Sequence, residues 1–273
     1  MTVKLAVVQP RTRLGPEEAT NIKEAVRYID EAAQRGAQLV LFPETYPGPW
    51  TDRLRFDPFA ALAAQAKASG VYVVAGTTEP VPGSRDGYHI VCLLIGPDGA
   101  LIGKYRRTCP TGPYIYQGGP FWDFNYTAAE ELPVFPTPLG VIGILICSEV
   151  FVPELARILA LKGAEIILMP AGRVVDFNDN WLTLVRARAV ENLAFTATCQ
   201  NLIGNVGMAM VASPEHVLAE STEEGILLAE LNLARVRELR GMAPKISGSG
   251  TFKTIPGIAS FRRPEVFAKN QPG

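Results

Sequence analysis

Histidine is scarce in this 273-residue chain: His89 and His216 are the only two, and no H-x-x-x-H spacing exists. That scarcity argues against a His-based metal site and against Ser–His–Asp or Cys–His nucleophile pairs. It leaves a carboxylate as the expected catalytic base. Cysteine is also sparse. Cys92, Cys109, Cys147 and Cys199 form no C-x-x-C pair, so neither a zinc ribbon nor a thioredoxin motif is available. Charge of one sign is missing too: 26 Lys and Arg nearly cancel 27 Asp and Glu, which gives no basic field for nucleic acid and no acidic tail. The longest apolar run, Val141 to Cys147, is far shorter than the ~20 residues that span a bilayer. The opening MTVKLAVVQP lacks a signal peptide's apolar core and cleavage site. A soluble, cytoplasmic protein that engages neither membrane nor nucleic acid is expected.

What is present is apolar. Hydrophobic residues make up 48% against 19% charged, a balance that suits a buried α/β core and rules out a disordered chain. Val3–Gln9 reads as a strand, Pro16-Glu17-Glu18 opens a helix whose apolar positions run from Ile22 to Ala33, and Gln38–Phe42 is the next strand. A helix over Phe59–Ala68 and a strand at Val71–Ala75 repeat the pattern. Tyr88–Ile95 and Leu101–Tyr105 flank the turn Gly96-Pro97-Asp98-Gly99, which reads as an antiparallel hairpin and so predicts mixed sheets. Residues 106–139, rich in Pro, Gly and aromatics, read as a long functional loop. Strands at Val141–Ile146, Glu165–Met169, Ala194–Cys199, Val206–Val211 and Ile226–Glu230 follow, with helices at Pro153–Leu161 and about Asn180–Leu193. One domain spans 1–273, with a C-terminal extension from about Gly241 that is expected to contact a partner subunit.

Three reactive side chains close or follow buried strands, whose carboxyl ends are where α/β sheets bind ligands. Glu44 ends LVLFPE, Lys104 lies in LIGKYRR, and Cys147 ends GVIGILICSE. Each alone has an ordinary structural explanation: a solvated acid, a wet cluster of Lys104 with Arg106 and Arg107, a core thiol. Together with their flanks they carry more. The phrases VKLAVVQ, GAQLVLFPE, GPDGALIGKYRR, GVIGILICSEVFVPELARILALKGAEIILMPA and WLTLVRARAVENLAFTATCQNLIG occur in one order over most of the chain. In these phrases the chain resembles the nitrilase, or carbon–nitrogen hydrolase, superfamily.

The resemblance implies an α-β-β-α sandwich of two mixed β-sheets flanked by helices, associated as a homodimer or larger homo-oligomer. It implies a Glu–Lys–Cys triad falling on Glu44, Lys104 and Cys147, with no metal and no organic cofactor. A free thiol, with a pKa of ~8.5, is only slightly ionised at neutral pH, so Cys147 needs Glu44 as proton acceptor and a nearby cation. Lys104 and the backbone N–H of Ser148 are the expected oxyanion donors. The stretch after Lys104 departs from the family pattern, which carries a second glutamate. Gln117, Glu130 or Glu131 could stand in its place. Glu149 is either a supporting acid behind the nucleophile or a salt-bridge partner of Arg173 or Arg186. Tyr46 and Trp50, directly after Glu44, and Tyr114 are expected to contact substrate and to make an apolar or aromatic acyl pocket. Arg173 is expected either to bind a substrate carboxylate or to pair with Asp176. The expected activity is hydrolysis of small non-peptide C–N bonds, amide or carbamoyl, through a Cys147 thioester that releases ammonia or an amine. Nitrile hydrolysis, or a catalytically weak binding and assembly module, are the alternatives.

Overall fold

A computed structural model of the chain describes residues 1–50, 56–85, 87–110, 126–172, 178–202, 207–241 and 253–270. Two six-stranded mixed sheets stack face to face, with helices outside them. The first sheet holds β1 (Thr2–Gln9), β2 (Leu39–Leu41), β3 (Tyr72–Pro80), β4 (Tyr88–Ile95), β5 (Leu101–Arg106) and the late strand β12 (Gly225–Asn232). Its order is β12-β1-β2-β3-β4-β5; β1, β2 and β3 run parallel, and both edges are antiparallel. The second sheet holds β6 (Val134–Thr137), β7 (Gly140–Ile144), β8 (Ile166–Ala171), β9 (Phe195–Gln200), β10 (Ala209–Ala212) and β11 (Val217–Ser221), ordered β11-β10-β9-β8-β7-β6. Here β7, β8 and β9 form the parallel centre.

The parallel strands are buried on both faces, which is why they read as unbroken apolar runs. In β1, Val3, Leu5 and Val7 enter the core between the sheets. Ala6 and Val8 face the opposite way, toward α1 (Asn21–Gln34) and α2 (Phe59–Ser69), where Ile29, Ala32, Leu62 and Ala66 meet them. On the second sheet α3 (Pro153–Leu161) and α4 (Asn178–Asn192) complete the outer layer. Among the described residues no helix is long and apolar enough to cross a membrane.

Several elements differ from the sequence reading. The supposed loop 106–139 contains β6, which tolerates Pro136 because it is an edge strand pairing on one side only. The second-sheet strand expected at Val206–Val211 is Ala209–Ala212, and residue 206 lies outside the described residues. Two further helices were not expected: α5 (Leu233–Gly241), which buries Leu233, Val236 and Leu239, and α6 (Pro264–Asn270), which buries nothing.

Candidate active site

The two sheets are joined where the parallel strands end. Glu44 N–H donates to Ala171 O (3.3 Å), and Leu202 N–H donates to Pro10 O (3.0 Å). Asn201, fully buried, is the central clamp: its side-chain amide donates to Glu44 O (2.8 Å) and its N–H to Gly172 O (2.9 Å). Its Oδ1 accepts from Thr12 Oγ1 at 2.7 Å. Carboxyl ends of β1, β2, β8 and β9 therefore meet at one point, and the functional side chains gather there.

Glu44 is 5% exposed. The chain behind it turns sharply, with Thr45 in the left-handed region at φ 48. Thr45 crosses so close to Gly76 that a β-carbon there would sit 2.2 Å from its nitrogen, so only glycine fits. Cys147, 6% exposed, follows β7 on a tight elbow at φ 52 and begins a short 3-10 turn, Cys147–Phe151. Non-glycine residues rarely occupy that region, and such strain concentrates where a side chain must be presented. The thiol hydrogen-bonds to the Glu44 carboxylate, and the backbone of Gly172 bonds to both groups.

The cation at this pair is Arg107, not Lys104. Arg107 is 3% exposed; its Nη1 donates to Glu44 Oε1 at 2.9 Å and its Nη2 to Ser148 Oγ. Lys104 lies on the other face of β5, where its Nζ pairs with Glu79 at 2.7 Å beside Arg106. Strand alternation separates them: Tyr105 and Arg107 point between the sheets, whereas Lys104 and Arg106 point out. The sequence did contain that signal, because the bulky Tyr105 marks the inner face of the strand and places residue 107 on the same side.

Burial pushes the Cys147 thiol up to about 12, and the neighbouring Glu44 charge adds to this while Arg107 opposes it. Burial also raises the Glu44 carboxyl, against the pull of Arg107, the Cys147 thiol and the Gly172 N–H. Arg107 is held fully charged: burial acts against its charge, but Glu44 and Cys147 outweigh that effect. The resting site is thus a neutral thiol hydrogen-bonded to the Glu44 carboxyl group, which a guanidinium clamps and pulls toward its ionised form against burial.

Glu149 sits directly behind. Its buried carboxylate accepts from Tyr105 Oη, Thr108 N, Thr108 Oγ1 (each 2.7 Å), Cys109 N (3.0 Å) and Ile146 N (2.6 Å). Those bonds tie the end of β5, which carries Arg107, to the elbow that carries Cys147. They stand where a pairing with Arg186 was expected; Arg186 is exposed on α4, and the alternative partner Arg173 lies outside the described residues. Tyr46 is likewise not at the site. It is fully buried against α1, stacked on Phe42 at 5.5 Å with its hydroxyl on Asn21 O. Trp50 adjoins the site through Gly172. Tyr114, Gln117 and Arg173 lie outside the described residues. Among the described residues no group of three His, Cys, Asp or Glu side chains is placed to hold a metal ion.

Comparison with known proteins identifies the family and the fold. A family model described as carbon–nitrogen hydrolase matches residues 4–241. The chain is 31% identical to a nitrilase from Pyrococcus abyssi (strain GE5 / Orsay), over 87% of this chain and 93% of that one. It is 29% identical to an omega-amidase from Xenopus laevis, over 88% and 92% of the two chains. Among solved structures, the fold matches a glutamate-to-glutamine mutant of the amidase from Nesterenkonia sp. AN1 with a TM-score of 0.78 at 21% identity, covering 98% of this chain and 97% of that one. That structure shows covalent addition of the acetamide moiety of fluoroacetamide at its active-site cysteine.

Proposed function

This chain belongs to the carbon–nitrogen hydrolase family, and from that premise we propose that it hydrolyses small amide or carbamoyl C–N bonds with Cys147 as nucleophile, Glu44 as acid and base, and Arg107 as the fixed cation. One observation carries the reading: a buried thiol bonded to a buried carboxylate that is itself ion-paired to a buried guanidinium at 2.9 Å. As Cys147 Sγ attacks the carbonyl carbon, its proton moves to Glu44. The oxygen that becomes negative is stabilised by Arg107 and the Ser148 N–H, where one lost donor costs about 10²–10³ in rate. Glu44 returns the proton to the departing nitrogen, so ammonia or an amine leaves and a thioester remains. Glu44 then deprotonates a water, the thioester collapses to the acid, and the proton goes back to sulfur.

Arginine narrows the chemistry of the third position. A guanidinium stays protonated throughout, so it supplies charge and geometry while Glu44 alone moves protons. The profile of kcat/KM against pH then has an acidic limb set by Glu44, above the usual carboxylate range, and no alkaline limb from the cation. Glu149 is a positioning residue: it holds the N–H groups of Thr108 and Ile146, the neighbours of Arg107 and Cys147, without touching substrate.

Two measurements test the reading. Cys147→Ala is expected to abolish ammonia release from an amide panel, and intact-protein mass is expected to show an acyl adduct on the unmodified enzyme. Undiminished hydrolysis by Cys147→Ala would sink the mechanism. The nitrilase relative supports nitrile hydrolysis as the second reading, and faster ammonia release from nitriles than from the matching amides would select it. Exposed Phe151, Ile158, Leu161, Phe261, Val266 and Phe267 support association into a homo-oligomer, which light scattering measures directly; a monomer at working concentration contradicts it.

A further inference from the structure

One small aromatic cluster belongs to neither of the two large cores. Trp50 and Tyr88 are buried in it, and Leu14 and Tyr126 pack against them. It borders the catalytic groups through Trp50. A β-carbon at Gly172 would meet the Trp50 ring at 3.3 Å and Glu44 Oε2 at 2.8 Å, so the indole adjoins the catalytic carboxylate. Tyr126 lies within electrostatic reach of Arg107, and its ring stands edge-on to Tyr88 with centroids 5.4 Å apart. Thr127 N–H donates to Tyr88 O at 2.9 Å, which fixes the two tyrosines to each other.

The wall is also anchored from behind. Glu18, 1% exposed, accepts the Trp50 main-chain N–H at 2.6 Å, and Asn21 donates to Pro47 O at 3.4 Å in the same loop. Trp50 is therefore held from a separate element, the 3-10 turn Gly15–Thr20, while its ring faces the Gly172 backbone. The described charges nearby do not complement an anion. Arg107 is committed to Glu44 and Ser148, and Arg11 and Arg13 are turned to Glu224 and Thr20.

We propose that Trp50, Tyr88 and Tyr126 form the acyl-side wall of the site, so that the substrate class is amides with an uncharged aromatic or alkyl acyl group rather than ω-monoamides of dicarboxylic acids. The inference rests on the amidase reading above and refines it. An apolar wall rewards each added methylene roughly 10-fold or more, whereas a carboxylate set against it loses its hydration without a partner.

The test uses the full chain with 3-phenylpropionamide, acetamide and glutaramate at one pH. The expected kcat/KM for 3-phenylpropionamide exceeds that for glutaramate by at least about 10-fold. Trp50→Ala is expected to lower the ratio of 3-phenylpropionamide to acetamide by about 10-fold, mainly through KM, and Trp50→Phe to restore most of it. A purely structural role for Trp50 would lower both amides together and leave that ratio unmoved. Should Trp50→Ala fail to fold, the unmodified enzyme's preference between 3-phenylpropionamide and glutaramate still decides. Preference for glutaramate, or an unmoved ratio, overturns this inference and leaves the amidase reading standing. No turnover of any amide, with Cys147 unacylated, overturns that reading and this one with it.

Discussion

The two faces of β5 carry nearly the same ingredients and use them oppositely. Outside, Glu79 takes Lys104 Nζ at 2.7 Å and Arg106 Nε at 2.5 Å, with all three side chains about a third exposed. Burial is the largest single influence on Glu79 and works against its charge, but the hydrogen bonds and charges of the two cations together overcome it and hold the carboxyl below its ordinary range. Inside, Glu44 meets Arg107 at 2.9 Å with both side chains almost wholly buried, and the balance reverses: the Glu44 carboxyl is raised. A single strand thus shows that an ion pair's chemistry is decided by its solvent. Water screens the outer pair and makes it worth about 0–1 kcal/mol. Within the protein the same pairing opposes burial without overcoming it, so the Glu44 carboxyl stays above its ordinary range.

The largest expected break in this contrast is Arg107→Met. It removes the proposed transition-state cation and the charge that opposes burial at Glu44, so kcat/KM is expected to fall about 10³-fold or more. Lys104→Met on the other face is expected to change it by less than about threefold. Equal losses in steady-state ammonia assays would return the catalytic role to Lys104. Next in size is Glu149→Ala against Glu79→Ala. Glu149 satisfies N–H groups of Ile146, Thr108 and Cys109 in the interior, and its loss is expected to destabilise by about 3–5 kcal/mol in urea unfolding. Glu79→Ala is expected to cost under about 1 kcal/mol. Arg107→Lys sharpens the comparison further. One ammonium cannot hold Glu44 and Ser148 as a planar fork does, so a drop of about 10–10²-fold is expected in kcat, with the acidic limb of the pH profile retained.

The same contrast explains what the sequence made legible. Glu44 and Cys147 end two-sided buried strands, where apolar runs locate the carboxyl edge without ambiguity. The cation directly follows β5, an edge strand, and the run Lys104, Tyr105, Arg106 and Arg107 offers three positive charges. Family likeness drew the assignment to the first of them, and only the alternation about Tyr105 separates inner from outer. Tyr46 was misplaced for a related reason. Following Glu44 directly suggested that it overhangs the site, but the turn at Thr45 sends its ring under α1. Asn201 had no local signal, since its role comes from joining two sheets that are far apart in sequence. Edge elements such as β6 and β11 were hidden by polar or proline content that an interior strand would not tolerate.

Glu18 supplies the third case in the series, a buried carboxylate with a main-chain N–H and, among the described residues, no ion-pair partner. Burial lifts it from 4.5 to about 7, only partly offset by the Trp50 N–H. Because its pKa is raised in the folded protein, its contribution to stability is intact below about pH 4.5 and is lost as pH rises through about 7. Glu18→Gln keeps an oxygen for Trp50 N–H and removes the titration. The variant is therefore expected to gain about 2–3 kcal/mol over the unmodified protein between pH 4.5 and 8, read as the difference in urea unfolding free energy. Glu44 shifts in the same direction but remains in both proteins, so it cancels in that difference. Parallel stability curves for the two proteins would mean that Glu18 is solvated or paired after all, and that burial without a cation is not what distinguishes it from Glu44.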